Sequence, residues 1–283
     1  MDEEFVIQFV SGARKHELCL GGKKLWHMYR KHFEGNSPVG RDRFEYILDK
    51  HNLKVRKKKR KPRTTDSRHG LPTYPNQAKA YIPTQVNRLW VSDITYIPIH
   101  VNESKHIFCY LSLILDAYSK EIVGWAVGET LETGHCIHAL RMALKRVDDT
   151  SGKELIHHSD RGCQYASKEY TSLLREYGIT ISMTEDGNSK DNAQAERINN
   201  TMKNELLKGK SFCDIKEVAE AVEKAVLFYN TERPHMSINM MTPQEAATHT
   251  GEIKKGWTSY RDIAIKNLQT ENIVSNKCLS LGT

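Results

Sequence analysis

Hydrophobic and polar positions divide this chain into a short helical stretch, a polar gap and a longer region in which the period changes from two to 3.6. Residues 2–16 read as a helix with Phe5, Phe9, Val6 and Ala13 inward, and Lys24 to Phe33 as a second helix carrying Leu25, Met28 and Tyr29. Ser37-Pro38 pairs a capping hydroxyl with a proline suited to a first helical turn. It predicts a third helix to about Asn52, with Phe44, Ile47 and Leu48 inward and Arg41 and Arg43 outward. From Leu89 the pattern changes. Leu89–His100, His106–Asp116 and Glu121–Gly128 are rich in β-branched and aromatic residues and sit close enough for an antiparallel meander, with Pro98 demanding an edge or a bulge. A helix over Thr133–Val147, a strand at Leu155-Ile156-His157, a helix over Lys168–Tyr177 and a strand over Ile179–Met183 follow. Two more helices are predicted over Asn192–Leu207 and Ile215–Tyr229. Three strands and then alternating helix and strand describe a mixed α/β sheet flanked by helices, the order of a ribonuclease-H-like core, preceded by a small all-α, helix-turn-helix-like domain.

Charge sharpens that division. Residues 1–70 hold 18 Lys and Arg against 9 Asp and Glu, while the remainder holds 24 against 26, so the net +7 comes from the first quarter. A polyanion is the expected partner there, and nucleic acid suits it better than a membrane because no apolar face accompanies the charge. Lys54–Arg63 holds eight basic residues in ten and should stay extended through self-repulsion. As a tether over DNA, each neutralised phosphate would steepen the salt dependence of binding by about 0.9 in log–log slope. The expected division is therefore 1–53 helical and DNA-binding, 54–86 a basic and proline-containing linker, 87–250 the catalytic core and 251–283 a tail. DNA contacts are expected from Arg41, Arg43, Lys57, Lys58, Lys59, Arg60 and Lys61. No apolar run of about 18 residues predicts a membrane span. Six scattered cysteines without a Cys-x-x-Cys pair favour free thiols in a reducing, cytoplasmic setting. Cys19 is the sole cysteine before Cys109, too few for a zinc site with His16, His27 and His32.

Three acids occupy positions that need a reason. Asp93 interrupts a strand-forming run, where a carboxylate is expensive to bury without compensation. Asp160 directly follows a short apolar strand, at the end where sites in open sheets form. Glu196 lies on a helix whose core stripe is Ala195, Ile198, Met202 and Leu206, beside Asn199, Asn200 and Lys203. Seven residues are nearly two turns, so Glu196 and Lys203 should point one way, about 10 Å apart along the axis. Hard divalent cations would gather such acids, and a pair about 3.5–4 Å apart can activate the attacking oxygen of a phosphodiester reaction and stabilise the leaving one. Asp116, at a strand end before Ser119, reads as a turn cap ahead of a fourth ligand; His157 and His158 read as packing or as phosphate contacts.

Four ordered motifs carry a resemblance. They are Trp90-Val91-Ser92-Asp93-Ile94-Thr95-Tyr96, then His158-Ser159-Asp160-Arg161-Gly162-Cys163-Gln164-Tyr165, then Asp191-Asn192-Ala193-Gln194-Ala195-Glu196 with Lys203, and Tyr229-Asn230-Thr231-Glu232-Arg233-Pro234-His235 before Thr242-Pro243. With 35 residues between Asp160 and Glu196, the chain over about 20–250 resembles the second-frame transposases of the third bacterial insertion-sequence family, relatives of retroviral integrases. The resemblance implies that Asp93, Asp160 and Glu196 are a catalytic, metal-binding triad for Mg2+ or Mn2+, two ions in number, and that Lys203 contacts terminal DNA. It implies strand cleavage by water followed by strand transfer by a 3′-hydroxyl, without a nucleotide cofactor. Expected partners are double-stranded DNA of element ends and target, further copies of the chain on that DNA, and an upstream-frame fusion product. Two alternatives are a structure-selective nuclease of the same fold and a non-catalytic DNA-binding regulator of transposition.

Overall fold

The computed structural model describes residues 2–15, 20–55, 70–102, 105–147, 154–185 and 192–254, with 257, 259, 262–263 and 265–267 beyond them. Three helices come first: α1 (Asp2–Arg14), α2 (Gly22–His32) and α3 (Arg41–Lys50). Phe44, Ile47 and Leu48 are fully buried as expected, and in α1 Val6 is fully buried with Phe9 and Ala13 packed against the core, whereas Phe5 is 54% exposed and Val10 is buried in addition. Helix α3 also starts later than Ser37-Pro38 suggests. Gly40 is its N-cap, and the Ser37 hydroxyl donates to the Val39 carbonyl instead of capping. Between α2 and α3 the chain turns through Glu34 (φ 50°) and Gly35 (φ 88°), the left-handed region that glycine enters without steric cost.

The sheet consists of β1 (Leu89–Asn102), β2 (Lys105–Asp116), β3 (Ile122–Gly128), β4 (Ile156–Ser159) and β5 (Thr180–Met183) in the order β3-β2-β1-β4-β5. The β1–β2–β3 meander is antiparallel, whereas β4 runs parallel to β1 and β5 parallel to β4. Strand β4 pairs β1 over Leu89–Val91, and Pro98, opposite Phe108, lies beyond that pairing, where the outer side of β1 meets the Phe212 carbonyl through the His100 amide at 2.8 Å.

One sheet face, with Trp90, Ile114 and Val123, packs under α4 (Thr133–Leu144), the short α5 (Cys163–Ala166) and α6 (Lys168–Glu176). Gly124 is required there, because a Cβ would lie 2.1 Å from the Ala139 carbonyl oxygen of α4. On the opposite face Leu89, Val91, Ile97, Leu111 and Leu113 pack with α7 (Ala193–Thr201) and α8 (Ile215–Thr231), in a cluster that also takes in Val6, Leu25, Phe44 and Leu48. Helix α7 does not run on as α to Leu207. It passes into a π turn over Met202–Leu206, closed by the Leu207 amide bonding the Met202 carbonyl at 2.8 Å. A 3-10 turn (Met236–Ile238) and α9 (Pro243–Ala247), opened by a Thr242–Glu245 capping box, end the described core.

Candidate active site

Strand register brings the first two acids together. Val91 of β1 pairs His158 of β4; Asp93, two residues further along β1, shares the sheet face of Val91, and Asp160 directly follows the end of β4 beside it. That face is the one covered by α7. Asn199 of α7 donates from Nδ2 to Asp93 Oδ2 at 2.8 Å, which brings Glu196, one helical turn earlier, toward the same acids. Asp160 is held by its own turn, its Oδ1 accepting from the Gly162 amide at 2.9 Å. Gly162 has little room for a side chain, since a Cβ would lie 3.0 Å from both Asp160 Oδ1 and Gln164 Oε1.

The electrostatics record the convergence. The Asp93 carboxyl is raised from 3.8 to about 7, first by burial and then by the charge of Asp160, with Glu196 adding to the rise. The Ile94 amide and Asn199 oppose it without cancelling it. Like charges drawn together in this way favour the arrival of a cation. The buried Oδ1 of Asn199 and that of Asn192 have no hydrogen-bond partner among the described residues, and a hydrated ion would bring water donors to such acceptors. The donor chemistry therefore fits hard divalent ions. The three acids are not, however, a closed cage: among the described residues no group of three His, Cys, Asp or Glu side chains could by itself hold a metal ion. Glu196 is exposed on α7.

Two amides that the sequence reading gave no role flank Glu196. Asn192, at the start of α7, donates from Nδ2 to the Ser92 carbonyl at 2.9 Å, and Asn199 holds Asp93. Positions 192, 196 and 199 share a helix face, so two asparagines spaced around the acid were the available signal. Gln194 adds a third tie, accepting from Lys120 Nζ at 2.7 Å.

Other candidates resolve differently. His157 is buried with its Nε2 facing the hydroxyls of Ser92 (2.8 Å) and Tyr170 (3.0 Å), and burial, with His158 beside it, lowers its pKa to about 3. His158 is equally buried and bonds Ser182 Oγ at 2.8 Å; packing, not phosphate contact, accounts for both rings. Asp116 caps its turn, accepting from the amides of Asn87, Tyr118 and Ser119 and from the Ser119 hydroxyl. Lys203 is exposed, but it lies within the π turn, where the seven-residue α-helical arithmetic relating it to Glu196 no longer holds. Arg41 is exposed at the start of α3, whereas Arg43 pairs with Glu3 at 2.9 Å and lies over the Tyr46 ring, so much of its charge is engaged within the helical region. Lys57, Lys58, Lys59, Arg60 and Lys61 lie outside the described residues, as does Asp191. Among the described residues no helix is long and apolar enough to cross a membrane.

Matches to known protein families fall over the sheet and the helices that cover it. Two models of the integrase core domain match, over residues 83–189 and 177–243. The uncharacterized 31 kDa protein of insertion element IS600 from Shigella sonnei is 35% identical over 72% of this chain and 74% of its own length. A putative transposase for insertion sequence element IS986/IS6110 from Mycobacterium tuberculosis is 33% identical over 80% of each chain. A solved structure of the HTLV-2 integrase catalytic core domain in complex with magnesium covers 58% of this chain and 97% of its own, with a TM-score of 0.44 and 21% identity.

Proposed function

This chain belongs to the integrase-core transposases of bacterial insertion sequences, the third-family DDE type, and we propose that Asp93, Asp160 and Glu196 are the acids with which it holds two Mg2+ ions. The observation that carries the assignment is the Asp93 carboxyl, pushed up to about 7 by burial and by the other two acids. The desolvation and like charge that disfavour the bare carboxylate are offset when a divalent cation joins the three acids. Bound divalent ions supply the charge that activates the attacking oxygen and stabilises the leaving one. The residues of the chain set the geometry. Asn199 fixes one oxygen of Asp93, the Gly162 amide fixes one oxygen of Asp160, and α7 presents Glu196 to complete the set when ions and DNA are bound.

The enzyme is a DNA transposase, cleaving a strand at its element's end with water and joining the freed 3′-hydroxyl to a target. One phosphodiester replaces another, so no nucleotide is consumed. In this reading Lys203 meets the terminal DNA, the α1–α3 region and the basic 54–86 segment bind flanking duplex, and copies of the chain act together on paired ends. The test is purified protein with Mg2+ and DNA bearing the element's ends. Nicking and joining are expected for the parent chain, and Glu196→Gln should stop both while leaving DNA binding within about twofold, because only the charge-stabilising step is lost. Full turnover in that variant removes Glu196 from the site. Precut 3′-hydroxyl ends distinguish joining from simple hydrolysis.

A further inference from the structure

The catalytic reading makes no use of Tyr229-Asn230-Thr231-Glu232-Arg233-Pro234-His235, although it is one of the four motifs of the sequence. Its arginine does not face solvent: Arg233 is 3% exposed, which removes it as a contact to a DNA backbone. A buried guanidinium needs partners, and these are well defined. Nη2 donates to Glu205 Oε2 at 2.5 Å, Nη1 donates to His235 Nε2 at 3.1 Å, and the group lies 5.5 Å from the Tyr229 ring centroid. An arginine cannot accept, so His235 presents its lone pair and is neutral; burial, then the Arg233 charge, hold its pKa well below the usual range.

The partner carboxylate is placed where it matters. Glu205 belongs to the π turn Met202–Leu206, two residues beyond Lys203. The π turn closes α7 at Leu207, and its wider winding points the side chains it carries differently from those of a continued α-helix. An ion pair between a buried guanidinium and a partly exposed carboxylate is better suited to fixing a geometry than to adding stability. Glu205 also faces Lys24 Nζ of α2 at 3.8 Å, so the end of α8, the π turn and the N-terminal helices meet on one carboxylate.

We propose that Arg233 is a positioning residue: through Glu205 it holds the π turn that aims Lys203, and so sets how the transposase grips a DNA end. The proposal rests on the reading of Lys203 as a DNA contact. A double-mutant cycle on the full chain tests both, using a fluorescent duplex of the element's own precleaved end. Lys203→Ala and Glu205→Gln are each expected to weaken binding about tenfold, and the double variant to bind no worse than Lys203→Ala alone, because both changes remove one interaction. Arg233→Lys, which keeps the charge but loses the two-pronged fork, should behave like Glu205→Gln. Independent losses that multiply in the double variant overturn the positioning role while leaving the Lys203 contact intact. Unchanged binding by Lys203→Ala defeats that contact and this proposal with it. Glu205 is partly exposed, so its glutamine variant is expected to fold. Hydrogen exchange gives a second reading: in Glu205→Gln the amides of 202–207 should exchange faster while those of 193–199 keep their protection. Unaltered exchange over 202–207 overturns the proposal.

Discussion

Two carboxylates stand on the β1–β2 hairpin, and the fold treats them in opposite ways. Asp116, at the end of β2, is 1% exposed, and burial raises its pKa. It is nevertheless surrounded by donors: the Asn87 amide reaches one oxygen at 2.8 Å, and the amides of Tyr118 and Ser119 with the Ser119 hydroxyl reach the other at 2.8–3.0 Å. Asp93, in the interior of β1, receives Asn199 and the Ile94 amide and faces two further acids, and its pKa climbs to about 7. One acid is satisfied by its own turn and holds the chain together. The other keeps an uncompensated charge that a cation can settle. Burial alone does not separate a structural acid from a functional one; the sign of what surrounds it does.

The strongest way to break this contrast is to remove charge from the unsatisfied side. Glu196→Gln should lower strand transfer of precut ends on the order of 10³-fold or more, measured in single turnover, with DNA binding retained. Next in size is the satisfied side. Asp116→Ala strips the acceptor from three amides and a hydroxyl and should cost about 3 kcal/mol in denaturant unfolding, while activity per folded molecule stays near the parent value. If Asp116→Ala folds normally but loses activity, the two acids do not divide as described. A third change adjusts the contrast without touching an acid. Asn199→Ala leaves Asp93 without its side-chain donor and should weaken Mn2+ binding about 10- to 100-fold in a direct titration, the range expected when a partner of a metal ligand is lost.

Much of this contrast could be read in the sequence, because it follows from period and position. A strand-period run around Asp93, a short apolar strand ending at Asp160 and a helix-period run around Glu196 place three acids on three elements. The pairing of Val91 with His158 then turns that placement into proximity. Asp116 was legible too, through Ser119 three residues on. The rest depends on contacts that no local pattern encodes. The burial of Ala195, Ile198, Met202 and Leu206 suits an unbroken α-helix as well as the observed passage into a π turn, which is held instead by Arg233, 28 residues from Glu205. In α1 only Phe5 departs from its expected facing: it lies 100° round the helix from the fully buried Val6, and packing put the smaller side chain at the centre. Ser37 offered a cap, but its hydroxyl found the Val39 carbonyl first and left α3 to begin from Gly40.

The smallest expected effect is the most discriminating, because it reverses the usual sign of an active-site mutation. The native Asp93 carboxyl titrates near 7 and its reference value is 3.8, so between those limits the folded chain holds a proton that the unfolded chain has released. Stability falls with pH wherever the native state binds more protons, so the metal-free transposase should lose stability from about pH 4 to about pH 7 on account of this group. Asp93→Asn has no charge to bury. Measured at pH 8 without divalent ions, it should be more stable than the parent by about 1–2 kcal/mol, a few degrees in Tm, less than the full shift implies because the Ile94 amide and Asn199 bond a neutral amide oxygen less strongly than a carboxylate. The difference should shrink toward pH 4, and saturating Mg2+ should reverse it by stabilising only the chain that retains the acid. Asp116→Asn should do the opposite at pH 8 although burial raises that carboxyl too, because both of its oxygens accept and the new NH2 would face donors, destabilising the fold with no response specific to Mg2+. If Asp93→Asn destabilises the metal-free protein at pH 8, Asp93 is a satisfied structural acid like Asp116.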